Sequence, residues 1–300
     1  MRSAARLAPR YLSLMSVAEA RPGAQAIDWE LPGPDSLVWR VNSEAVLLLG
    51  GGRALILQVA HPQVAAGVRQ FSNYREDPWG RIRRTIDVTM KITFGDPATS
   101  RAAAETLRRR HGQVKGLDGD GRPYRALDPE LLMWVQATLI DTSLVFYERY
   151  VGRLTEREKA SYYRECRALG PAYGLTRGHQ PADLADFRAY FEGMLSSRVR
   201  TTDTLRDVAD AVLNPPLPLI ARPGVELLRL VTAGTLPDSL RAQLGLTWDR
   251  PREALLSASG ATVRGLMPLL PSLLRRLPPA RAAARRGTGG HLRVAREDGR

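Results

Sequence analysis

The stretch from residue 129 to residue 150 carries apolar side chains on every side of a helical wheel, and no other feature restricts the fold as strongly. It begins at Asp128-Pro129, a pair in which the aspartate can cap a helix and the proline fits its first turn. A helix that is apolar all round is stable only when other elements surround it. We therefore expect a central helix over residues 129–150 in a protein built from helices.

Polar residues interrupt this apolar helix at Gln136, Thr138, Asp141 and Thr142. Thr138, Asp141 and Thr142 are spaced so that they share one helix face. Buried polar groups need hydrogen-bond partners. Two interpretations remain open: internal hydrogen bonds that order a helical core, or the polar wall of a cavity for a cofactor or substrate.

Helix start signals recur along the chain, whereas alternating strand patterns are rare. Asp96-Pro97 predicts a helix over residues 97–114, and Thr155 with Glu158 forms a capping box that opens a helix to about residue 169. Further helix starts are predicted near Pro181, Thr201 or Thr202, Pro237 and Pro251. The single hairpin signal is the turn-rich stretch 116–124. We predict an all-α fold, a single-domain helical bundle that encloses a pocket.

The predicted domain covers residues 30–275. Residues 1–29 are polar and rich in alanine, and we expect a flexible N-terminal segment there. Residues 276–300 are basic, contain proline and glycine clusters and lack a periodic apolar pattern. They are expected to form a disordered basic tail.

The net charge of +13 is the difference between 44 basic and 31 acidic residues, and only three of the basic residues are lysines. Such a charge fits a nucleic-acid or anionic membrane partner, or simply a solvated basic surface. The arginines are spread along the chain and mixed with acidic residues, which favours the solvated surface. No helix-turn-helix signature or concentrated basic stripe is present, so no nucleic-acid partner is expected.

Cys166 is the only cysteine, so the chain can form no internal disulfide, and a reducing compartment is expected. No run of 18 apolar residues is present, so no membrane-spanning helix is predicted; membrane contact is possible but not predicted. We expect a cytoplasmic protein. The weak signal-peptide pattern of residues 2–20 leaves secretion as a minor alternative.

Several cofactor and metal motifs are absent from the sequence. It contains no phosphate-binding P-loop, no dinucleotide fingerprint and neither of the histidine–glutamate motifs of zinc peptidases and di-iron bundles. The remaining candidate ligands are four histidines, His61, His111, His179 and His291. His179 precedes a predicted helix in a polar turn, and His291 falls in the predicted tail.

His111 is the best placed of the four. It stands near the end of the helix predicted over residues 97–114, either as a ligand or as an ordinary histidine at a helix C-terminus. His61 precedes Pro62 and is either hydrogen-bonded at a helix start or part of a pocket. A site with one histidine suits haem, because the porphyrin supplies four nitrogens and the protein needs to give only one strong axial ligand.

Arg81, Arg84 and Thr85 share one face of a predicted helix. The two arginines lie one turn apart and could bind the carboxylate groups of a haem. The alternative is surface salt bridging.

Six segments of the chain, taken together and in this order, resemble the rubber oxygenase (latex clearing protein) and MpaB-type oxygenase catalytic domain. They are residues 57–67 (LQVAHPQVAAG), 81–85 (RIRRT), 94–96 (FGD), 110–116 (RHGQVKG), 120–124 (DGRPY) and 127–138 (LDPELLMWVQAT). The resemblance extends from about residue 36 to residue 275.

This resemblance implies an all-helical fold that holds b-type haem and uses dioxygen to cleave carbon–carbon double bonds of isoprenoids. The family's proximal histidine falls on His111. Its Arg-x-x-Lys-Thr helix falls on Arg81, Arg84 and Thr85, so arginine stands where rubber oxygenase has a lysine that can close the distal side. Arginine stays protonated and is a poor iron ligand. A further family histidine falls on Gln136, and the catalytic carboxylate of rubber oxygenase has no clear counterpart.

The sequence therefore predicts a haem b-dependent oxygenase that activates dioxygen on an apolar, isoprenoid-like substrate. His111 is the predicted iron ligand. Arg81, Arg84 and Thr85 are predicted to line the distal side or hold the haem carboxylates, with His61 and Gln136 as further pocket residues. The alternative is a helical protein that binds an apolar ligand without catalysis.

Overall fold

The computed structural model describes residues 29–72, 78–215, 218, 220 and 222–286. At Pro78, Trp79 and Arg81 the description covers the backbone alone. The predicted flexible segment 1–29, apart from Trp29, and the last part of the predicted tail, 287–300, lie outside these residues.

The first half of the fold contains six helices and a hairpin. These are α1 (Leu37–Asn42), a 3₁₀ segment (Ala45–Gly50), α2 (Gly51–Val59), α3 (Pro62–Phe71), α4 (Pro78–Phe94), α5 (Pro97–Gly112), β1 (Lys115–Leu117), β2 (Pro123–Arg125) and α6 (Pro129–Tyr150). The second half is helical throughout: α7 (Glu156–Ala168), two 3₁₀ turns (Gly170–Tyr173 and Arg177–His179), α8 (Leu184–Ser197), α9 (Asp203–Leu213), α10 (Arg222–Thr235), α11 (Asp238–Gln243), α12 (Arg250–Leu266), a 3₁₀ turn (Met267–Leu269), α13 (Ser272–Arg275) and α14 (278–286).

The two strands pair antiparallel, with Gly116 opposite Tyr124. Within the described ranges this hairpin is the only sheet, and it lies where the turn-rich sequence predicted one. The prediction of an all-α fold is confirmed.

Helix α6 lies at the centre of the molecule, as its apolar pattern predicted. It packs against the 3₁₀ segment Ala45–Gly50, α2, α8 and α12. Trp134 is fully buried, stacks on Phe191 and donates its indole N–H to the Leu57 carbonyl at 3.1 Å. Not every side is packed, however, because Leu139 is only half-buried.

Helix ends agree with the capping signals in two of three places. The Asp96 carboxylate accepts the Thr99 backbone N–H at 2.7 Å, and Thr155 and Glu158 form the predicted capping box of α7. Asp128 differs, since its carboxylate accepts the Arg125 N–H at 2.9 Å and makes no cap hydrogen bond to α6. The aspartate there closes the turn after β2, and Pro129 alone carries the helix-start signal.

The three consecutive glycines at the start of α2 allow close helix packing. A Cβ atom on Gly50 would lie 2.6 Å from Thr142 Cγ2, and one on Gly52 would lie 2.9 Å from Thr232 Oγ1. Both distances are too short for carbon, so only glycine lets the 3₁₀ segment approach α6 and α2 approach α10 this closely.

The C-terminal segment departs from its prediction. Residues 278–286, assigned to a disordered tail, form α14, in which Ala280 and Ala283 are buried against Phe94. Small alanines allow this helix to pack closely against the end of α4. The many arginines of this segment made the two alanine positions hard to recognise as a buried helix face. The predicted disorder is therefore wrong for residues 276–286.

A buried carboxylate connects the two ends of the described chain. Glu44 is fully buried, and its two oxygens accept hydrogen bonds from Arg275 at 2.8–3.1 Å. Glu44 also forms an isolated β-bridge with Arg276. The segment that follows α12 is thereby joined to the segment that precedes α2.

In the described part of the chain, no single helix has the length and apolar character needed to cross a bilayer. The segment Ala45–Val59 and α3 meet those criteria only as a pair, and the two are bent by 107°.

Candidate functional site

The helices α2 to α7 enclose a mainly apolar cavity of about 450 Å³. Each helix contributes to its wall, for example through Ala54, Val68, Val88, Leu107, Leu139 and Cys166. The exposed side chains of Leu48, Phe71 and Arg84 also line it, so the cavity reaches the surface beside them. Its volume and lining are those of a small-molecule or cofactor site.

His111 lies on the wall of this cavity, in the last turn of α5. It also lines a second cavity of about 200 Å³, and Leu107, Leu132 and Tyr173 share both walls with it. The His111 Nδ1 atom is buried. An imidazole held on a helix at the partition of two cavities has the fixed placement that an axial ligand needs.

Arg84 and Thr85 of α4 line the same cavity as His111. Arg84 is exposed and Thr85 is half-buried, so the guanidinium belongs to the outer part of the wall. The backbone of Arg81 lies one turn earlier in α4, and its side chain lies outside the description. The structure thus brings together three of the predicted site residues at one cavity.

Gln136 is the fourth predicted residue on this wall. Its Nε2 donates to the Cys166 carbonyl at 3.0 Å, which fixes the side chain between α6 and α7. Its Oε1 is buried and accepts no hydrogen bond from the described residues. A buried oxygen of this kind favours a ligand or water that donates a hydrogen bond.

Three further polar side chains share the cavity wall with Gln136. Tyr162, Cys166 and Tyr173 line the cavity, and burial raises the pKa of all three. The pKa of the Cys166 thiol rises to about 12. These groups stay protonated at neutral pH, so the inner part of the cavity carries no charge from them.

Arg110 is a site residue that the sequence prediction missed. It lines the cavity beside His111 and is exposed, like Arg84. Its position in the run of arginines 108–110 directly before His111 was the available signal. Two guanidinium groups at the outer wall suit the carboxylate groups of an amphipathic ligand.

His61 is buried but lines neither cavity. It is the N-cap residue of α3, only 4% exposed, and burial lowers its pKa. The Nδ1 atom has no hydrogen-bond partner among the described residues. The structure thus separates His61 from the other predicted pocket residues.

The remaining histidines differ in surroundings. His179 is exposed in the 3₁₀ turn Arg177–His179, next to the Thr176 hydroxyl, as the polar turn predicted. His291 lies outside the described residues.

Sequence reasoning also missed Arg53, which is buried at the start of α2. Its guanidinium donates to Asp141 and to the Thr142 hydroxyl, both at 2.6 Å, and to the Thr235 carbonyl at 2.7 Å. Thr138 instead donates to the Val135 carbonyl. The polar face of α6 therefore serves internal hydrogen bonding, although Thr142 also lines the cavity.

Acidic and histidine side chains do not gather into a metal centre here. Over the part of the chain that the structure describes, no three His, Cys, Asp or Glu residues lie close enough to share a metal ion.

Comparisons with known proteins give two similar relatives. The uncharacterized proteins Mb2261 of Mycobacterium bovis and Rv2237 of Mycobacterium tuberculosis are each 28% identical to the chain over 210 residues. The matched region covers 66% of this chain and 80% of each relative. No solved structure matches the chain significantly.

The sequence model of one family covers most of the described fold. Its description is ER-bound oxygenase mpaB/B'/Rubber oxygenase, catalytic domain, and it matches residues 39–265, from α1 to the end of α12. The chain belongs to this family of oxygenase catalytic domains.

Proposed function

We propose that the protein is a haem b-dependent oxygenase that uses dioxygen on an apolar small-molecule substrate, with His111 as the proximal iron ligand. The observation that carries the proposal is the position of His111 on the wall of the 450 Å³ apolar cavity. Membership of an oxygenase family supports the reaction class. The isoprenoid character of the substrate rests on the sequence resemblance.

The residues of the cavity fit haem b in three respects. The flat porphyrin needs apolar surroundings between helices, and the cavity enclosed by α2 to α7 is mainly apolar. Iron needs one strong protein ligand, and neutral imidazole is suited to it. The two carboxylates of haem need cations near solvent, and Arg84 and Arg110 are exposed on the cavity wall.

Haem iron would supply the binding and activation of dioxygen in this cavity. His111 would hold the iron through an imidazole nitrogen, with α5 fixing the ring. The apolar walls exclude water and bind the hydrocarbon part of the substrate. Arg84 and Thr85 can donate hydrogen bonds into the cavity, and Gln136 Oε1 can accept one. Gln136, as an amide, takes no part in proton transfer at neutral pH.

Haem content of the purified protein tests the proposal. Protein expressed with added haem should show a Soret band and yield haem on pyridine extraction. His111→Ala should lose most of the haem, because no other histidine that the structure describes lines the cavity. His179→Ala, at an exposed histidine, and His61→Ala, at a buried histidine outside the cavity, are matched controls that should keep it.

Two outcomes would contradict the proposal in different ways. An unchanged Soret band in His111→Ala would show that the ligand assignment is wrong. Wild-type protein that binds no haem would leave the alternative of a helical protein that binds an apolar ligand. Oxygen consumption with an isoprenoid substrate, followed by identification of cleaved products, tests the reaction itself.

A further inference from the structure

An exposed group of leucines lies near the C-terminal end of the described chain. Twelve large hydrophobic side chains are exposed in the described residues, and six of them fall within residues 255–274. We call these six the leucine face: Leu255, Leu266, Leu269, Leu270, Leu273 and Leu274. Leu269, Leu273 and Leu274 are 77%, 63% and 65% exposed. Single exposed leucines are ordinary, but six within twenty residues of the chain point to an interaction surface.

The geometry of α12 shows that the leucine face is separate from the core. Leu255 and Leu266 are eleven residues apart, which places them on the same side of the helix and about 16 Å from each other. Leu256 and Gly260 occupy the buried side, where Leu256 packs with Phe146 and Gly260 lies against Arg149. The outward leucines are therefore not needed to hold α12 in place.

The segment 254–286, which carries the leucine face, contains six arginines and no aspartate or glutamate, although Asp249 and Glu253 precede it at the start of α12. Arg275 and Arg276 both face the single carboxylate of Glu44, so the segment keeps a net positive charge after this pairing. Apolar side chains flanked by arginines have the composition of a surface that binds anionic lipid headgroups.

The leucine face also adjoins the wall of the large cavity. Helix α13 packs against the 3₁₀ segment Ala45–Gly50, whose Leu47 and Leu48 line the cavity. Leu277, three residues after the face, lines it as well. Any partner that binds the leucine face would therefore lie beside the place where the large cavity opens to the surface at Leu48.

We propose that the leucine face docks the protein on an anionic lipid bilayer. The leucines enter the boundary between headgroups and acyl chains, and the neighbouring arginines bind the headgroup phosphates. A second copy of the chain is a poorer occupant, because a symmetric contact would bring two sets of arginines together. The docking does not depend on haem.

Vesicle sedimentation tests the docking with the full chain. The wild-type protein should bind vesicles of mixed phosphatidylcholine and phosphatidylglycerol and bind pure phosphatidylcholine much more weakly. Added salt should weaken the binding to the anionic vesicles by screening the arginines. The triple variant Leu269→Glu, Leu273→Glu and Leu274→Glu should bind the anionic vesicles at least about tenfold more weakly than the wild type. Leu117→Glu, at a 58% exposed leucine of the hairpin, is the matched control and should bind like the wild type.

A label gives a second measurement that keeps every position apolar. An environment-sensitive fluorophore is attached to the new thiol of Leu273→Cys. The label reacts at this position because the only native cysteine, Cys166, is buried. Its emission should shift to the blue when anionic vesicles are added, whereas the label on Leu117→Cys should not respond.

Three results would overturn the docking. They are a wild-type protein that stays in the supernatant with anionic vesicles, equal losses in the triple variant and in Leu117→Glu, and a label at residue 273 that does not respond. A wild-type dimer that becomes monomeric in the triple variant, without vesicle binding by either, would assign the leucine face to a second copy instead.

Discussion

The guanidinium of Arg53 lies 2.6 Å from the carboxylate of Asp141, and the Arg53 side chain is only 4% exposed. The same guanidinium also binds the Thr142 hydroxyl and the Thr235 carbonyl, so one cation connects α2, α6 and α10. Because Thr142 lines the cavity, this network supports the wall of the candidate site.

Arg53→Met should lower the free energy of unfolding by about 3–5 kcal/mol, because it leaves Asp141 without its counter-charge inside the protein. Denaturation in urea measures the change. Arg252→Met removes an exposed ion pair with Asp249 and is the control, with an expected change of less than about 1 kcal/mol. Equal changes in the two variants would mean that the Arg53 network does not stabilise the fold.

Leu57→Ala should cost about 2–5 kcal/mol of unfolding free energy, since Leu57 is fully buried in the main core and its loss leaves a cavity there. Leu139→Ala should cost less, because Leu139 is half-buried and already faces open volume. Chemical denaturation of both variants tests the ranking. A larger loss at residue 139 would contradict the position of the large cavity.

Arg84→Lys tests the outer part of the cavity and rests on the haem proposal. Arginine stays protonated and does not ligate iron, so the ferric wild-type protein should have a high-spin spectrum. A lysine amine can lose its proton and ligate iron, so with residue 84 on the distal side, as the family resemblance implies, the variant should show a low-spin component that grows with rising pH. With residue 84 at the haem carboxylates instead, the variant should keep the high-spin spectrum. Arg109→Lys, at an exposed position of α5 that lines neither cavity, should keep the wild-type spectrum. A low-spin wild-type protein would contradict this expectation.

His61 should make stability depend on pH. Burial lowers its pKa, with Arg198 and Arg200 acting in the same direction and Glu130 and Asp118 opposing them. As pH falls below about 6.5, the unfolded chain takes up a proton that folded His61 resists, so the free energy of unfolding decreases. The free energy of unfolding stops decreasing from this cause once the pH is below the pKa of His61 in the folded protein, where both states carry the proton.

His61→Gln removes this titration and provides the comparison. Urea denaturation between about pH 8 and pH 5 should show a smaller loss of stability in the variant than in the wild type. Parallel pH profiles would show that His61 is not responsible. His179→Gln, at an exposed position, should leave the wild-type profile unchanged.

Local sequence signals predicted the helices well because their causes lie within a few residues. The Asp96 cap and the Thr155–Glu158 box are contacts over three positions, and both form as expected. The all-round apolar pattern likewise located α6, since its burial follows from composition alone. The helical position of His111 was predicted in the same way, because its helix is a local feature, whereas its role as an iron ligand stays a prediction.

Contacts between residues far apart in the chain could not be predicted from local sequence signals. The contact between Arg53 and Asp141 joins residues 88 positions apart, and nothing in the sequence pairs them. His61 looked equivalent to His111 in chemistry, and only the packing of α3 shows that it lies away from the cavity wall. Helix α14 was not predicted because its sequence is rich in arginine, and only the structure shows that two of its alanines pack against Phe94.

The contact between Glu44 and the segment after α12 bears on how the catalytic domain should be produced. The family match ends at residue 265, whereas the arginines that neutralise buried Glu44 stand at positions 275 and 276. A fragment cut at the family boundary would keep the carboxylate, lose both of its cations and uncover Phe94. Expression that stops at residue 265 should therefore yield an aggregation-prone fragment, and the smallest self-sufficient unit extends at least to residue 286.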